Sequence, residues 1–150
     1  MHPAITATLA AALLAASPLL GASEAEDAIR YRQGLYTVIG WNFGPLADMV
    51  RGKRPFDAAG FTLHADRIAA LAPQLLEGFP PGSDSGAPTG AKAAIWADRP
   101  GFEAKMQDFV DAARALAQAA HGGDEATMKD RFKTTAGTCK ACHDTYRSKR

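Results

Sequence analysis

Cys139-Lys140-Ala141-Cys142-His143 is the stretch of this chain whose residue types and spacing carry chemistry on their own. Two thiols three positions apart, with an imidazole next in sequence, form C-x-x-C-H, the pattern that attaches a c-type haem. On a helix such positions are neighbours, so both thiols can add across the vinyl groups of one porphyrin as thioethers. The next residue lies on the same surface, where its imidazole can ligate the iron. Zinc would need two more ligands, and His64 and His121 lie at no recognisable zinc spacing. A thioredoxin-like pair opens a helix after a strand, whereas this pair lies near the end of a long helical pattern. A disulfide between two cysteines this close in a helix is strained. The expected cofactor is one haem c per chain, bound covalently through Cys139 and Cys142, with His143 as the metal ligand.

Four helical segments must position the motif. The first runs from about Glu26 to Gly52, with Ile29, Tyr36, Ile39, Phe43 and Leu46 at helical spacing. Gly44-Pro45 is expected to kink or interrupt it. The second runs from Asp57, an N-cap, to about Phe79, with Pro73 bending its last turns. The third runs from about Arg99 to His121, capped by Asp98 and stopped by Gly122-Gly123. The fourth starts near Asp124 and runs to the end, placing Met128, Phe132, Thr135, Cys139, Cys142 and Tyr146 in steps of four and three. Pro80 to Gly90 is a loop by every local signal, and its length is uncommon unless it crosses the molecule. Ala91 to Ala97 reads as a short helical piece returning to the core. The fold class is all-α, an antiparallel four-helix bundle with a long connection between helices 2 and 3.

Composition narrows the function. Seventeen Lys and Arg against 16 Asp and Glu give a net charge of +1, which excludes a strongly basic nucleic-acid binder. Two cysteines exclude a disulfide-dense scaffold, and 47% hydrophobic residues exclude disorder. Ile5 to Leu20 is uncharged, shorter than a typical membrane span and followed by small residues. It reads as an export signal cleaved after Ser23 or Ala25, although its start has no Lys or Arg; the rival is an uncleaved N-terminal anchor. Residues 1–25 are then the signal and 26–150 the haem domain, soluble, in the periplasm, with no membrane or nucleic-acid partner. Export agrees with haem attachment, which takes place outside the cytoplasm.

The chain resembles cytochrome c′ over nearly all of this domain. The resemblance rests on the C-terminal placement of the motif and the ending Cys-Lys-Ala-Cys-His-Asp-Thr-Tyr-Arg. Glu26-Asp27-Ala28-Ile29-Arg30-Tyr31-Arg32-Gln33, Ile95-Trp96, Phe102 and Phe109 are also similar to the family. It implies that Arg32 and Gln33 lie against the haem, with Arg32 near a propionate, and that Tyr36 faces the sixth site of iron, where many members have Leu. It implies that Phe79 and Phe109 wall the haem and that Arg147 is the basic residue beside the axial His143. Four residues separate His143 from Arg147, one turn of a continuing helix. His64 and His121 match no ligand position and read as surface or helix-end residues. The family often pairs as homodimers through its first two helices, with Trp41, Phe43 and Phe56 as the aromatic residues expected there.

Related bundle cytochromes with a distal methionine carry it near the position of Tyr36. Here the first helix has no Met before Met49, and Met106 and Met128 read as core filler. The expectation is five-coordinate iron that binds NO and CO and disfavours O₂, with nitric oxide scavenging or tolerance as the role. The alternative is an electron carrier in a periplasmic respiratory or photosynthetic chain, its redox partner unknown. An enzyme such as a peroxidase is not expected, because peroxide cleavage needs a positioned acid/base and no histidine has a case for the distal side.

Overall fold

The computed structural model of the chain describes residues 21–148. The stretch Ile5 to Leu20, on which the export reading rests, lies outside them. Helix α1 spans Ala22–Val50, α2 Ala58–Leu71, α3 Ala94–Ala97, α4 Arg99–Gly122 and α5 Glu125–Tyr146. A 3₁₀ segment, Ala72–Gly78, continues α2.

Helix α1 starts earlier than the expected Glu26. Ala22 to Ala25 are helix-compatible, and the Glu24 carboxylate accepts the Gly21 N–H at 3.0 Å, half of a capping box. The two candidate cleavage positions, Ser23 and Ala25, therefore lie in its first turn, where Ala25 is buried. The expected interruption at Gly44-Pro45 is absent, and the helix runs through Pro45. A proline there forgoes one hydrogen bond, to the carbonyl of Trp41 on the solvent-facing side. Pro73 acts as expected, because the α-helix gives way to 3₁₀ turns where its N–H is missing.

Two caps follow the sequence, at Asp57 and Asp98, and the structure adds a third at Asp124. Asp57 accepts from Ala59 N–H at 3.1 Å, Asp98 from Gly101 N–H at 3.2 Å and Asp124 from Thr127 N–H at 2.8 Å. Gly123 closes α4 at φ +76°, a conformation that favours glycine. Short turns make α1 and α2 antiparallel, and likewise α4 and α5. Helix α4 packs on α2 and α5, and α1 lies on α2, with Phe61, Ile68, Leu75, Phe102, Leu116 and Met128 at the centre.

The 3₁₀ segment lies so close to α1 that a Cβ at Gly78 would meet Arg32 Cβ at 2.5 Å and its backbone at 3.1 Å. Asn42, buried on α1, binds His64 Nδ1 of α2 at 3.0 Å. His64 is thus a tie between helices, its pKa lowered by burial, rather than a surface residue. His121 is exposed and reaches Asp66 at 3.0 Å. By contrast, α1 and α5 meet sparsely, at contacts such as Phe43 on Phe132, with ring centroids 4.6 Å apart.

Candidate haem site

Between α1 and α5, which meet sparsely, lies a cavity of about 1030 Å³. All nine residues singled out from the sequence line it: Arg32, Gln33, Tyr36, Phe79, Phe109, Cys139, Cys142, His143 and Arg147. Helix α5 supplies the thiols. Cys142 is buried and Cys139 half-buried, neither is in a disulfide, and burial pushes the Cys139 thiol up to about 11 and raises that of Cys142. His143 is half-buried, and burial, helped by the Arg147 charge, lowers its pKa. That favours the neutral imidazole, the form that ligates a metal.

Tyr36 stands opposite on α1, its ring 6.4 Å from that of His143 and edge-on to Phe79 at 6.5 Å. Burial raises the Tyr36 pKa, so its hydroxyl stays protonated. Phe79 stacks edge-on to Phe102 at 4.9 Å, which holds it as wall rather than as a mobile lid. Gln33 donates to the Pro88 carbonyl at 2.8 Å.

Two expectations change here. Arg147 is not on a continuing helix: α5 ends at Tyr146, and Arg147 is extended, paired in an antiparallel bridge with Ala91. It still lines the cavity, but from the tail. Arg32, expected beside a propionate, is only 2% exposed and spends its terminal nitrogens on protein. Nη1 donates to Gly78 O at 2.9 Å and Ser83 Oγ at 3.1 Å; Nη2 donates to Ser83 O at 2.9 Å and Thr89 Oγ1 at 3.1 Å. Its guanidinium also lies 4.8 Å from the centre of the Phe79 ring. In this structure Arg32 organises the long connection.

Arg32→Met is therefore expected to cost about 3 kcal/mol, since buried acceptors lose a charged donor. Urea unfolding of the holoprotein checks this, and faster proteolysis between residues 80 and 90 should accompany it. Arg32→Lys should recover little, because an ammonium cannot reproduce the planar fork.

Sequence reasoning missed several wall residues. Met106 is buried, yet it also lines the cavity, as do its neighbour Lys105 and Tyr146. Thr89 to Ala91, in the long connection, line it too. The unusual length of the connection was the available signal for that role. No local signal marks Met106, whose spacing on α4 is that of any core residue.

The donor set fits a c-type haem. Two unpaired thiols and a neutral imidazole share one helical turn at the cavity wall, the walls are aromatic, and the volume suits a large ligand. A family model described as cytochrome C′ matches residues 27–147. The cytochrome c′ of Rubrivivax gelatinosus is 41% identical over 123 residues, 82% of this chain and 95% of that protein. Cytochrome c prime from Shewanella frigidimarina superposes with a TM-score of 0.81 at 46% identity, covering 83% of this chain and 97% of that one. A nitric oxide complex of a variant of cytochrome c prime from Alcaligenes xylosoxidans gives 0.77 at 35% identity, covering 83% and 97%. Motif, cavity and these likenesses agree, and the chain belongs to the cytochrome c′ family, whose cofactor is a c-type haem.

Proposed function

We propose that this protein is a periplasmic gas-binding haem protein with five-coordinate iron, held by His143 alone, that takes NO and CO and disfavours O₂. The observation that carries the reading is the composition of the cavity wall facing His143. Helix α1 presents Tyr36, Thr37, Ile39 and Gly40 there, and none of these is a strong haem ligand of the His or Met type. The iron supplies the binding position for a diatomic gas; the chain decides which gas is stabilised. Tyr36 and Phe79 limit the room. Ile39, Phe43, Phe79 and Phe109 make much of the wall apolar, and a site of this kind penalises O₂, which needs a hydrogen-bond donor more than NO or CO do. The Tyr36 hydroxyl works against that penalty only as far as its single hydrogen bond reaches a bound ligand. The Alcaligenes xylosoxidans relative solved with nitric oxide supports NO as a ligand. Nitric oxide scavenging or tolerance is the role that follows, and a binding role rather than catalysis.

The site residues act as a set in this reading. Cys139 and Cys142 attach the haem, His143 ligates it, Tyr36, Phe79 and Phe109 wall it, and Arg32, Gln33 and Arg147 lie around it. Export by residues 1–25 places the remaining domain in the periplasm. Among the described residues no helix is long and apolar enough to cross a membrane.

A homodimer through α1 and α2 also belongs to the proposal. Val38 and Trp41 on α1 and Leu63 on α2 are exposed, Trp41 by 77%. Phe43 and Phe56 are turned inward instead, Phe43 onto Phe132 and Phe56 onto Phe61 at 5.4 Å. Of the three aromatic residues expected there, Trp41 is the one left exposed for that interface.

One observation favours the electron-carrier alternative: Met106 reaches the cavity wall and is a candidate sixth ligand. Absorption spectra of oxidised and reduced protein, with and without CO, separate the two. A broad reduced band that sharpens with CO is expected. Split reduced bands unmoved by CO, lost in Met106→Leu, would overturn the five-coordinate reading.

A further inference from the structure

An α-helix leaves its last four carbonyls without partners inside the helix. In α5 these belong to His143, Asp144, Thr145 and Tyr146, so the first is that of the haem ligand itself. The His143 carbonyl accepts from the Arg147 N–H at 3.1 Å. The other three accept from one residue, Lys92. Its Nζ donates to Thr145 O at 3.0 Å and Asp144 O at 3.3 Å, and its backbone N–H donates to Tyr146 O at 3.0 Å. The ammonium also sits at the negative end of the helix dipole.

The contacts on either side tighten the same turn. Ala91 pairs with Arg147, and Ser148 N–H donates to Gly90 O at 2.8 Å. Tyr146 is buried, and its hydroxyl donates to Asp98, the cap of α4, at 2.7 Å. The segment from Gly90 to Asp98 therefore clamps the end of α5. Lys92 itself does not line the cavity, so any influence on the haem must pass through the backbone it holds.

We propose that Lys92 is a positioning residue for His143: by anchoring the last turn of α5 it sets how firmly His143 holds the iron. This rests on the reading of His143 as the sole protein ligand. A helix end without its cap frays over its last turn, and His143 is the fourth residue from the end. Release of the imidazole needs the freedom that Lys92 removes.

The test compares holoprotein as wild type, Lys92→Met, Lys92→Arg and Lys140→Met. Lys140 is the control, because it pairs with the Asp144 carboxylate on the same turn and caps no carbonyl. Resonance Raman reads the ferrous iron–histidine stretch, and EPR during titration with NO reads the fraction that loses the iron–histidine bond. Lys92→Met is expected to lower the stretch and to raise the ratio of released to retained histidine about fivefold. Lys92→Arg should restore most of both, and Lys140→Met should match wild type. An unchanged stretch and ratio in Lys92→Met, or an equal change in Lys140→Met, would overturn the proposal. A wild-type ferrous spectrum unmoved by CO would instead overturn the five-coordinate reading. Amide exchange across residues 143–148 then still reads the anchoring, and equal exchange in wild type and Lys92→Met overturns it.

Discussion

Chain carrying Cys139→Ala and Cys142→Ala together is expected to lose its haem to acidified organic solvent and, slowly, on dilution. Wild-type protein should keep its colour through both treatments. The thioethers make attachment independent of concentration; without them retention depends on His143 and on apolar contact, and it falls with free haem concentration. Each single variant should resist dilution, because one thioether suffices to prevent escape. Losing the haem should also loosen the bundle. Phe79, Phe102, Phe109 and Ile95 line the cavity from the α2–α4 side, and they would then face water. Burying a side chain of this size contributes about 1.5–3 kcal/mol. A few such losses match the 5–15 kcal/mol of a typical domain. The expected signature is retained far-UV and weakened near-UV circular dichroism, with a lower unfolding midpoint. Unchanged near-UV dichroism in the haem-free double variant would contradict it.

What was legible in the sequence follows from how local each cause is. The haem motif could be read because its chemistry needs two thiols and an imidazole on one turn, and a helical repeat from Met128 to Tyr146 puts them there. The caps at Asp57 and Asp98 could be read for the same reason, since each acts on an N–H two or three residues away. Pro45 misled because proline's penalty depends on what its missing N–H leaves behind, and on the solvent-facing side of α1 that is one bond. The end of α5 was misplaced because nothing local stops it. Its stop comes from Gly90 to Lys92, more than fifty residues earlier in sequence, which take the chain into a bridge at Arg147. Arg32 illustrates the same limit. Its type and register suit a carboxylate, yet its partners are the last residue of the 3₁₀ segment, Gly78, and Ser83 and Thr89 of a loop whose path no local pattern dictates.

Tyr36 is where two physical effects compete, and substitution should separate them. Its ring closes the cavity opposite His143, so a ligand entering from α1 must displace it. Forcing atoms into a packed site costs about 1–3 kcal/mol, a factor of about 5 to 150 in affinity. Its hydroxyl, kept protonated by burial, can donate one hydrogen bond, worth about 1 kcal/mol net. The first effect weakens every ligand; the second favours O₂ over CO. Crowding is the larger, so Tyr36→Ala is expected to raise CO affinity within the upper part of that range. Tyr36→Phe keeps the ring and should change CO affinity by less than about threefold. Flash photolysis supplies the association rates, and equilibrium titration the affinities. The gain in Tyr36→Ala should appear mainly in association, because what is removed is an obstacle rather than a contact made after binding. If Tyr36→Phe alone gave the large change, the hydroxyl would be the determinant and the pocket would discriminate by polarity instead of by room. Oxygen tests the same division from the other side. Tyr36→Phe should weaken any residual O₂ affinity, while Tyr36→Ala removes obstacle and donor together and should raise CO affinity more than O₂ affinity.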